Sequence, residues 1–470
     1  MRQQPMQATR RALDQRNWPR VKNMRTSSRT PALVAVVTCA LAMWLGYLNK
    51  ARCAGPPFDP QGRSVRFDAV KDATVCYSDI QQLWIGRGIN LHLFPFLDGG
   101  ITRDGVLTGG TVEYPVLSGI LMWVGALRAD TDAEFLLHSA LLLAPFGLLV
   151  AWLLGRLAGW AALLWSVTPP LVLYGFHNWD LPVVATTVGA VAVLGVRRWS
   201  LRTRAVAAAV LLAVGFCLKV YPGIFVLPLI AYVLTGGDEP RPRRDVRGAV
   251  TVGAAAAVTV IAVNLPFALL GYPGWRASFE FQGNRAADAT SNSIWYWGLR
   301  PLVGGYQDTE VTAEYNDVVA VVSPLSICAA FALALWLGWR RYRRDGSYPW
   351  VAVGAAMLCG FLLLHKVHSP QYTLWLLPFL VLLRVRWPLI ASYLTVDLAI
   401  GIGVFLWFDA TMTHSDTTIP LLLTLVGVWG RAALLVVLFF VFAGAPLRRS
   451  GQPPPDEEQP RMPAMSGENR

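Results

Sequence analysis

Charge is what this 470-residue chain has least of: 15% of its residues are Asp, Glu, Lys or Arg, while 54% are hydrophobic. A composition so poor in charge excludes an ordinary soluble domain and points to a multi-span membrane protein. Acid is scarcer than base, 29 residues against 41, for a formal charge of +12. That excess does not signal a nucleic-acid partner. The Arg and Lys fall mainly in an N-terminal tail, short connectors and the C-terminal flank, as the positive-inside rule distributes them. The six cysteines and six histidines show no metal-ligand spacing, so no metal cofactor is expected. No repeat relates the two halves of the chain. That weighs against a transporter or flippase of a lipid-linked sugar, the competing class, which is built from repeats with broken helices at the membrane midplane. A scaffold within an envelope complex, a third class, leaves its polar residues without a shared pocket.

What is present begins with a basic tail over residues 1–30 and an apolar run from Pro31 to Leu48. The small residues at Cys53-Ala54-Gly55 allow a cleaved signal. The length of the run and its basic flank favour an uncleaved anchor with a cytoplasmic N-terminus. Residues 51–133 then form a first loop on the outside, containing juxtamembrane helices. It holds Asp59, Asp68, Asp72, Asp79, Asp98, Asp104 and Glu113, most of them around the stretch Cys76-Tyr77-Ser78-Asp79-Ile80. Ile80 to Phe96 is amphipathic and suits a helix at the membrane surface. Cys39, Cys217, Cys328 and Cys359 sit in apolar runs and pack as small hydrophobes. Cys53 and Cys76 share the outside loop, where they either close a disulfide or remain two thiols.

The run from Pro115 to Leu127 is short for a span. Treating it as a juxtamembrane or re-entrant helix places every strongly basic connector inside. Spans then fall near 31–48, 134–154, 157–175, 181–196, 205–218, 223–235, 248–270, 318–338, 349–365, 372–384, 388–408 and 419–443, about twelve in an all-α domain over 31–443. A Pro-, Glu- and Arg-rich tail over 444–470 reads as disordered and cytoplasmic. The outside receives the acidic first loop, His177-Asn178-Trp179-Asp180, Lys219-Val220-Tyr221-Pro222, the loop from Gly271 to Asn316, and Lys366 to Gln371. The basic connectors alone set this topology, and the unusual polar residues still collect on one face.

Each candidate has a plain alternative. Asp79 suits a general base that takes the proton of an attacking hydroxyl, and equally a helix N-cap, as does Ser78. Glu113, before Tyr114-Pro115, is an ordinary helix start or part of a donor site. His177 and Asp180 lie where charge is expensive unless paired, as functional groups or as a structural pair. Lys219 interrupts an apolar run and either binds a lipid phosphate or snorkels. Lys366 and His368, with Gln371 and Tyr372, form a second cationic and hydrogen-bonding cluster. Arg285 leads into Trp295-Tyr296-Trp297, which forms a sugar-stacking platform or an interfacial belt.

Taken in order, Tyr77-Ser78-Asp79-Ile80, Glu113-Tyr114-Pro115, the Lys219-to-Pro222 break and His368-Ser369-Pro370-Gln371-Tyr372 resemble the GT-C polytopic glycosyltransferases, and within them glycosyltransferase family 87, the actinobacterial polyprenol-phosphate-mannose-dependent mannosyltransferases. The resemblance implies inverting, metal-independent transfer from a polyprenyl-phosphate sugar to a lipid-linked or cell-wall glycan acceptor at the outer face of the cytoplasmic membrane. It makes Asp79 the base and Lys219, Lys366 and His368 the holders of the donor phosphate. Glu113, His177, Asp180, Arg285, Gln371 and Tyr372 support the site. The single proline after Tyr114 departs from a family that often has two. An Arg-, Ala- and Val-rich composition is compatible with an actinobacterium.

Overall fold

The computed structural model describes residues 29–238, 244–304 and 309–448. The basic N-terminal tail to Ser28, Arg241 and Arg243 of one connector, and the C-terminal tail from Arg449 lie outside them. The described chain is overwhelmingly helical. The helices are α1 (Arg29–Ala51), α2 (Arg66–Val70), α3 (Asp79–Gly86), α4 (Val116–Ala126), α5 (Asp132–Ala158), α6 (Leu163–Ser166), α7 (Pro169–Tyr174) and α8 (Asp180–Leu194). They continue with α9 (Leu201–Leu218), α10 (Val226–Leu234), α11 (Val246–Leu270), α12 (Tyr272–Asn284), α13 (Thr309–Asp345), α14 (Trp350–Leu364), α15 (Thr373–Leu382), α16 (Trp387–Met412) and α17 (Thr418–Gly444). One antiparallel hairpin, β1 (Gly100–Ile101) with β2 (Leu107–Thr108), decorates the first loop.

Among the described residues, seven helical runs are long and apolar enough to cross a membrane: α1, α5 continued through α6, α9, α11, α13, α16 and α17. Five shorter apolar helices accompany them: α4, α8, the run Tyr221–Leu234, α14, and the run Pro370–Leu382. This is an all-α polytopic membrane protein. Burial separates the two groups. Every residue of α15 is buried, as is most of α8 and α14, whereas the apolar windows of α11 and α13 are only 11% and 17% buried. The short helices are the centre of the bundle, apolar all round because protein surrounds them. The long ones present their apolar residues to lipid.

Two expected elements differ. Residues 157–175 do not make one span. Gly159, at φ +64°, ends the regular helix, a 3-10 turn and α6 follow, and Thr168 is forced to an extended backbone ahead of Pro169-Pro170, which start α7. The surface helix expected over Ile80–Phe96 stops at Gly86, because Gly88 turns the chain at φ +61° into a 3-10 turn at Ile89–Leu91.

Polar contacts form two layers at opposite ends of the bundle. At one, Arg197 and Ser347 meet Asp238, Arg202 meets Asp245, and Arg341 donates to the carbonyls of Ala443 and Ala445. At the other, the first loop meets the connectors before α8, after α9, after α12 and before α15. Helices α16 and α17 are drawn tightly together by small residues. A Cβ on Gly427 would lie 2.5 Å from Ile400 Cβ and 2.7 Å from its backbone nitrogen. Gly427→Ala is therefore expected to cost about 1–3 kcal/mol by overpacking, read as a lower thermal midpoint in detergent. Gly444→Ala, with open space around it, should leave that midpoint in place.

Candidate active site

Asp79 opens α3, and Ser78, not Asp79, caps it. The Ser78 Oγ accepts the Ile80 N–H at 3.2 Å and donates to the Phe176 carbonyl at 2.8 Å. The Asp79 N–H is spent on the His177 carbonyl at 2.8 Å. The carboxylate is thus free of capping duty and only half-buried. Its Oδ1 accepts the Tyr77 hydroxyl at 2.8 Å and its Oδ2 accepts the Asn178 amide at 2.6 Å. Burial, then Asp79 itself, raise the Tyr77 phenol well above its ordinary range, so Tyr77 stays a donor.

The end of α1 holds this segment down. Cys53 and Cys76 form a disulfide with Cα atoms 5.8 Å apart, closing the loop that the cysteine count left open. Around it, Asn49 Nδ2 donates to the Val75 carbonyl, Lys50 Nζ to the Tyr77 carbonyl at 2.7 Å, and Arg52 to the Thr74 carbonyl. Four successive residues of the loop, 74 to 77, are therefore fixed just before the carboxylate.

Asn178 is the hub. Its amide NH₂ reaches Asp79 and, at 2.7 Å, the Tyr114 hydroxyl, while its oxygen accepts the Trp179 N–H at 2.6 Å and Lys219 Nζ at 3.2 Å. Lys219 is buried, pairs with the fully buried Asp180 at 2.7 Å, and lies about equally near the rings of Tyr114, Tyr372 and Trp375, 5.5–5.7 Å from each centroid. Trp375 Nε1 donates to the same Asp180 oxygen at 2.7 Å. Trp375 is itself stacked between Tyr372 and Tyr221, at 3.7 and 4.3 Å. Of the three residues expected to hold phosphate, Lys219 is thus the one whose charge is already balanced.

Lys366 and Arg285 are different. Lys366 donates to the Gly283 carbonyl at 2.8 Å, and Arg285 has no hydrogen bond or ion pair among the described residues. Both are partly exposed. Burial and then the neighbouring Arg285 lower the Lys366 pKa, which places the two cations close together with no carboxylate paired to either. Tyr372 lies within electrostatic reach of both Arg285 and Asp79. His368 is buried behind Tyr372, its ring 6.0 Å away, with its backbone N–H on the Ser291 carbonyl and Nε2 unpartnered. Gln371 is buried with Oε1 unpartnered. His177 packs against Tyr77 at 5.4 Å, and its Nδ1 is unpartnered. Burial, then nearby cations, hold both imidazoles well below their ordinary pKa, so they serve as neutral hydrogen-bonding groups.

Glu113 stands apart from the carboxylate hub, in a bidentate pair with Arg87 at 2.7 and 3.2 Å. Gln282 Nε2 reaches the Glu113 carbonyl at 2.8 Å, and the Arg87 guanidinium lies 5.1 Å from the Phe281 ring. The end of α12 is thereby fastened beside the site. Trp295 donates to the Leu364 carbonyl, and Trp297 is buried against α16 and α17, so both of these indoles are structural. Asn178, Arg87, Trp375 and Lys50 are site residues without a prior sequence signal beyond their neighbours. Asn178 at least lay inside the polar quartet 177–180.

The arrangement provides a partly buried carboxylate held by two donors, two cations without a paired carboxylate, and Tyr372 within electrostatic reach of both Asp79 and Arg285. That equipment suits proton removal from a hydroxyl beside a bound phosphate. The model of one protein family, glycosyltransferase family 87, matches residues 113–370, more than half of the chain. The match includes Asp180, Lys219, Arg285, Lys366 and His368 and begins after Asp79. No curated protein and no solved structure matches the chain. Asn178→Ala removes one of the two donors to Asp79 and the amide that Lys219 meets. It is expected to lower turnover about 10–100-fold with little change in donor KM, measured as steady-state kinetics on the purified protein.

Proposed function

The chain belongs to glycosyltransferase family 87, and from that premise we propose that it moves mannose from a polyprenyl-phosphate donor to a hydroxyl of a lipid-linked or cell-wall glycan, at the outer face of the cytoplasmic membrane. The observation that supports the proposal is the partly buried Asp79 carboxylate, oriented by Tyr77 and Asn178, with Tyr372 within electrostatic reach of both it and Arg285, the neighbour of Lys366.

In this mechanism the acceptor hydroxyl attacks the anomeric carbon of the donor sugar as Asp79 takes its proton. The new glycosidic C–O bond forms on the face opposite the phosphate, and the bond from the anomeric carbon to the phosphate oxygen breaks with its electron pair. Polyprenyl phosphate departs, and one attack gives inversion without a covalent enzyme intermediate. Arg285 and Lys366 neutralise the charge that grows on the phosphate, and the neutral His368 backs the Tyr372 ring. This assigns the leaving-group charge to side chains and calls for no metal. Lys219 acts one step back, holding Asn178 while Asp180 balances its charge. Tyr372, partly exposed and within electrostatic reach of both Asp79 and Arg285, is a surface on which a sugar ring can rest.

The test is to incubate the purified protein with synthetic short-chain polyprenyl-phosphate mannose and a membrane lipid extract, and to look by mass spectrometry for an acceptor gaining one hexose. Wild type should give the product. Asp79→Asn should lose turnover by about 10²–10⁴-fold while still binding donor. Arg285→Gln should raise donor KM about tenfold by removing a charge-assisted phosphate contact. Retained turnover in Asp79→Asn removes Asp79 as the base. Failure across a panel of donor sugars, with lipid-phosphate binding intact, favours a flippase.

A further inference from the structure

Lys50 is a buried cation without a counter-ion of its own. It is the penultimate residue of α1, where a lysine ordinarily snorkels to the interface. Here it points inward, 2% exposed, and among the described residues its only side-chain hydrogen bond is from Nζ to the Tyr77 carbonyl at 2.7 Å. No carboxylate lies within 4 Å of it among the described residues. An isolated buried ammonium costs several kcal/mol in a low-dielectric interior, so its charge persists only where an opposite charge within reach offsets that cost.

The neighbouring charges identify that partner by elimination. Asp180 is taken by Lys219, Glu113 by Arg87, and Asp72 by Lys71. Asp79 remains, the one carboxylate of the group with no ion pair. Tyr77 joins it to Lys50: the Tyr77 carbonyl accepts from Lys50 and its hydroxyl donates to Asp79. Burial works most strongly against the charge on this lysine and the Arg52 guanidinium adds to that, while the Asp79 carboxylate is the anion within electrostatic reach that favours it.

We propose that Lys50 is a positioning residue for the transfer reaction, the buried amine that fixes Tyr77 against Asp79 and sets a positive charge within reach of the carboxylate. It is too buried to touch substrate, and it acts through Asp79 alone. Other titratable groups face the carboxylate: Tyr77 on its own segment, Tyr114 ahead of α4, His177 before α8, Lys219 after α9 and Tyr372 ahead of α15. The phenols and the imidazole are neutral, and Lys219 is balanced by Asp180. Arg52, two residues on, also has no carboxylate partner but is exposed to solvent, so Lys50 supplies the buried positive charge from this side.

The proposal rests on the reading of Asp79 as the base, and two measurements separate them. The first is the pH dependence of kcat/KM. Lys50→Gln keeps a donor for the Tyr77 carbonyl but removes the charge, and should move the acid limb up by about 1 pH unit, the size a nearby charge produces. Activity then recovers at higher pH, and Lys50→Arg keeps the wild-type limb. A loss of equal size at every pH, with the limb in place, overturns the proposal in favour of a purely structural lysine. The second is a thermal double-mutant cycle of Lys50→Met with Asp79→Asn, which needs no turnover. Lys50→Met should lower the midpoint markedly when Asp79 is present and much less, or not at all, in the Asp79→Asn background. Additive shifts overturn the pairing whatever the reaction proves to be. Absence of transfer by wild type bears on the function instead and leaves the cycle to decide on Lys50.

Discussion

The buried pair between Lys219 and Asp180 is the interaction on which the rest of the site depends. Removing either charge would strand the other in a low-dielectric interior, a loss of several kcal/mol, so the two are kept together and every group they touch is kept with them. Asp180 accepts from Trp375 and so binds α8 to α15. Lys219 donates to Asn178 and so binds the end of α9 to the connector before α8. Asn178 in turn faces Asp79. A chain of charge-assisted hydrogen bonds thus runs from the centre of the bundle to the first loop, and each link joins segments far apart in sequence.

The disulfide and the Glu113–Arg87 pair do the same work at the edges. Cys53–Cys76 keeps the first loop against α1, and Arg87 and Gln282 keep α12 beside the start of α4. Lys366 is held by the Gly283 carbonyl, and neither it nor Arg285 has an acid paired to it among the described residues. Acid and base are therefore kept separate within one polar layer. Arg285 and Lys366 stay available to an anion, and Asp79 stays available to a hydroxyl.

Much of this was legible in the residues because burial of charge leaves a mark in an apolar sequence. Asp79, Asp180, Lys219 and Lys366 stood out as interruptions, and the basic connectors alone sorted them to one end. Asn178 carries no charge, so its central place showed only in three dimensions. Lys50 was hidden by position, since a lysine at the end of a span looks like an ordinary interfacial anchor. The Arg87–Glu113 pairing was invisible because a loop, with no periodicity, brings the two together. Residues 157–175 misled because hydropathy reports apolar surface and not helical continuity, which Gly159 and Pro169-Pro170 interrupt.

The shortness of the central helices has one more consequence. At 1.5 Å per residue, the ten residues of α15 extend about 15 Å and the fifteen of α8 and α14 about 22 Å, against a hydrocarbon layer of about 30 Å. A helix of that length that starts at one face of such a layer ends short of the other, and Asp180, Lys366 and Tyr372 stand at the ends away from the basic connectors. A reaction centre sunk that far meets few waters. If the proposed transfer takes place there, access decides the nucleophile, and exclusion of water directs the donor sugar to the acceptor hydroxyl instead of to hydrolysis.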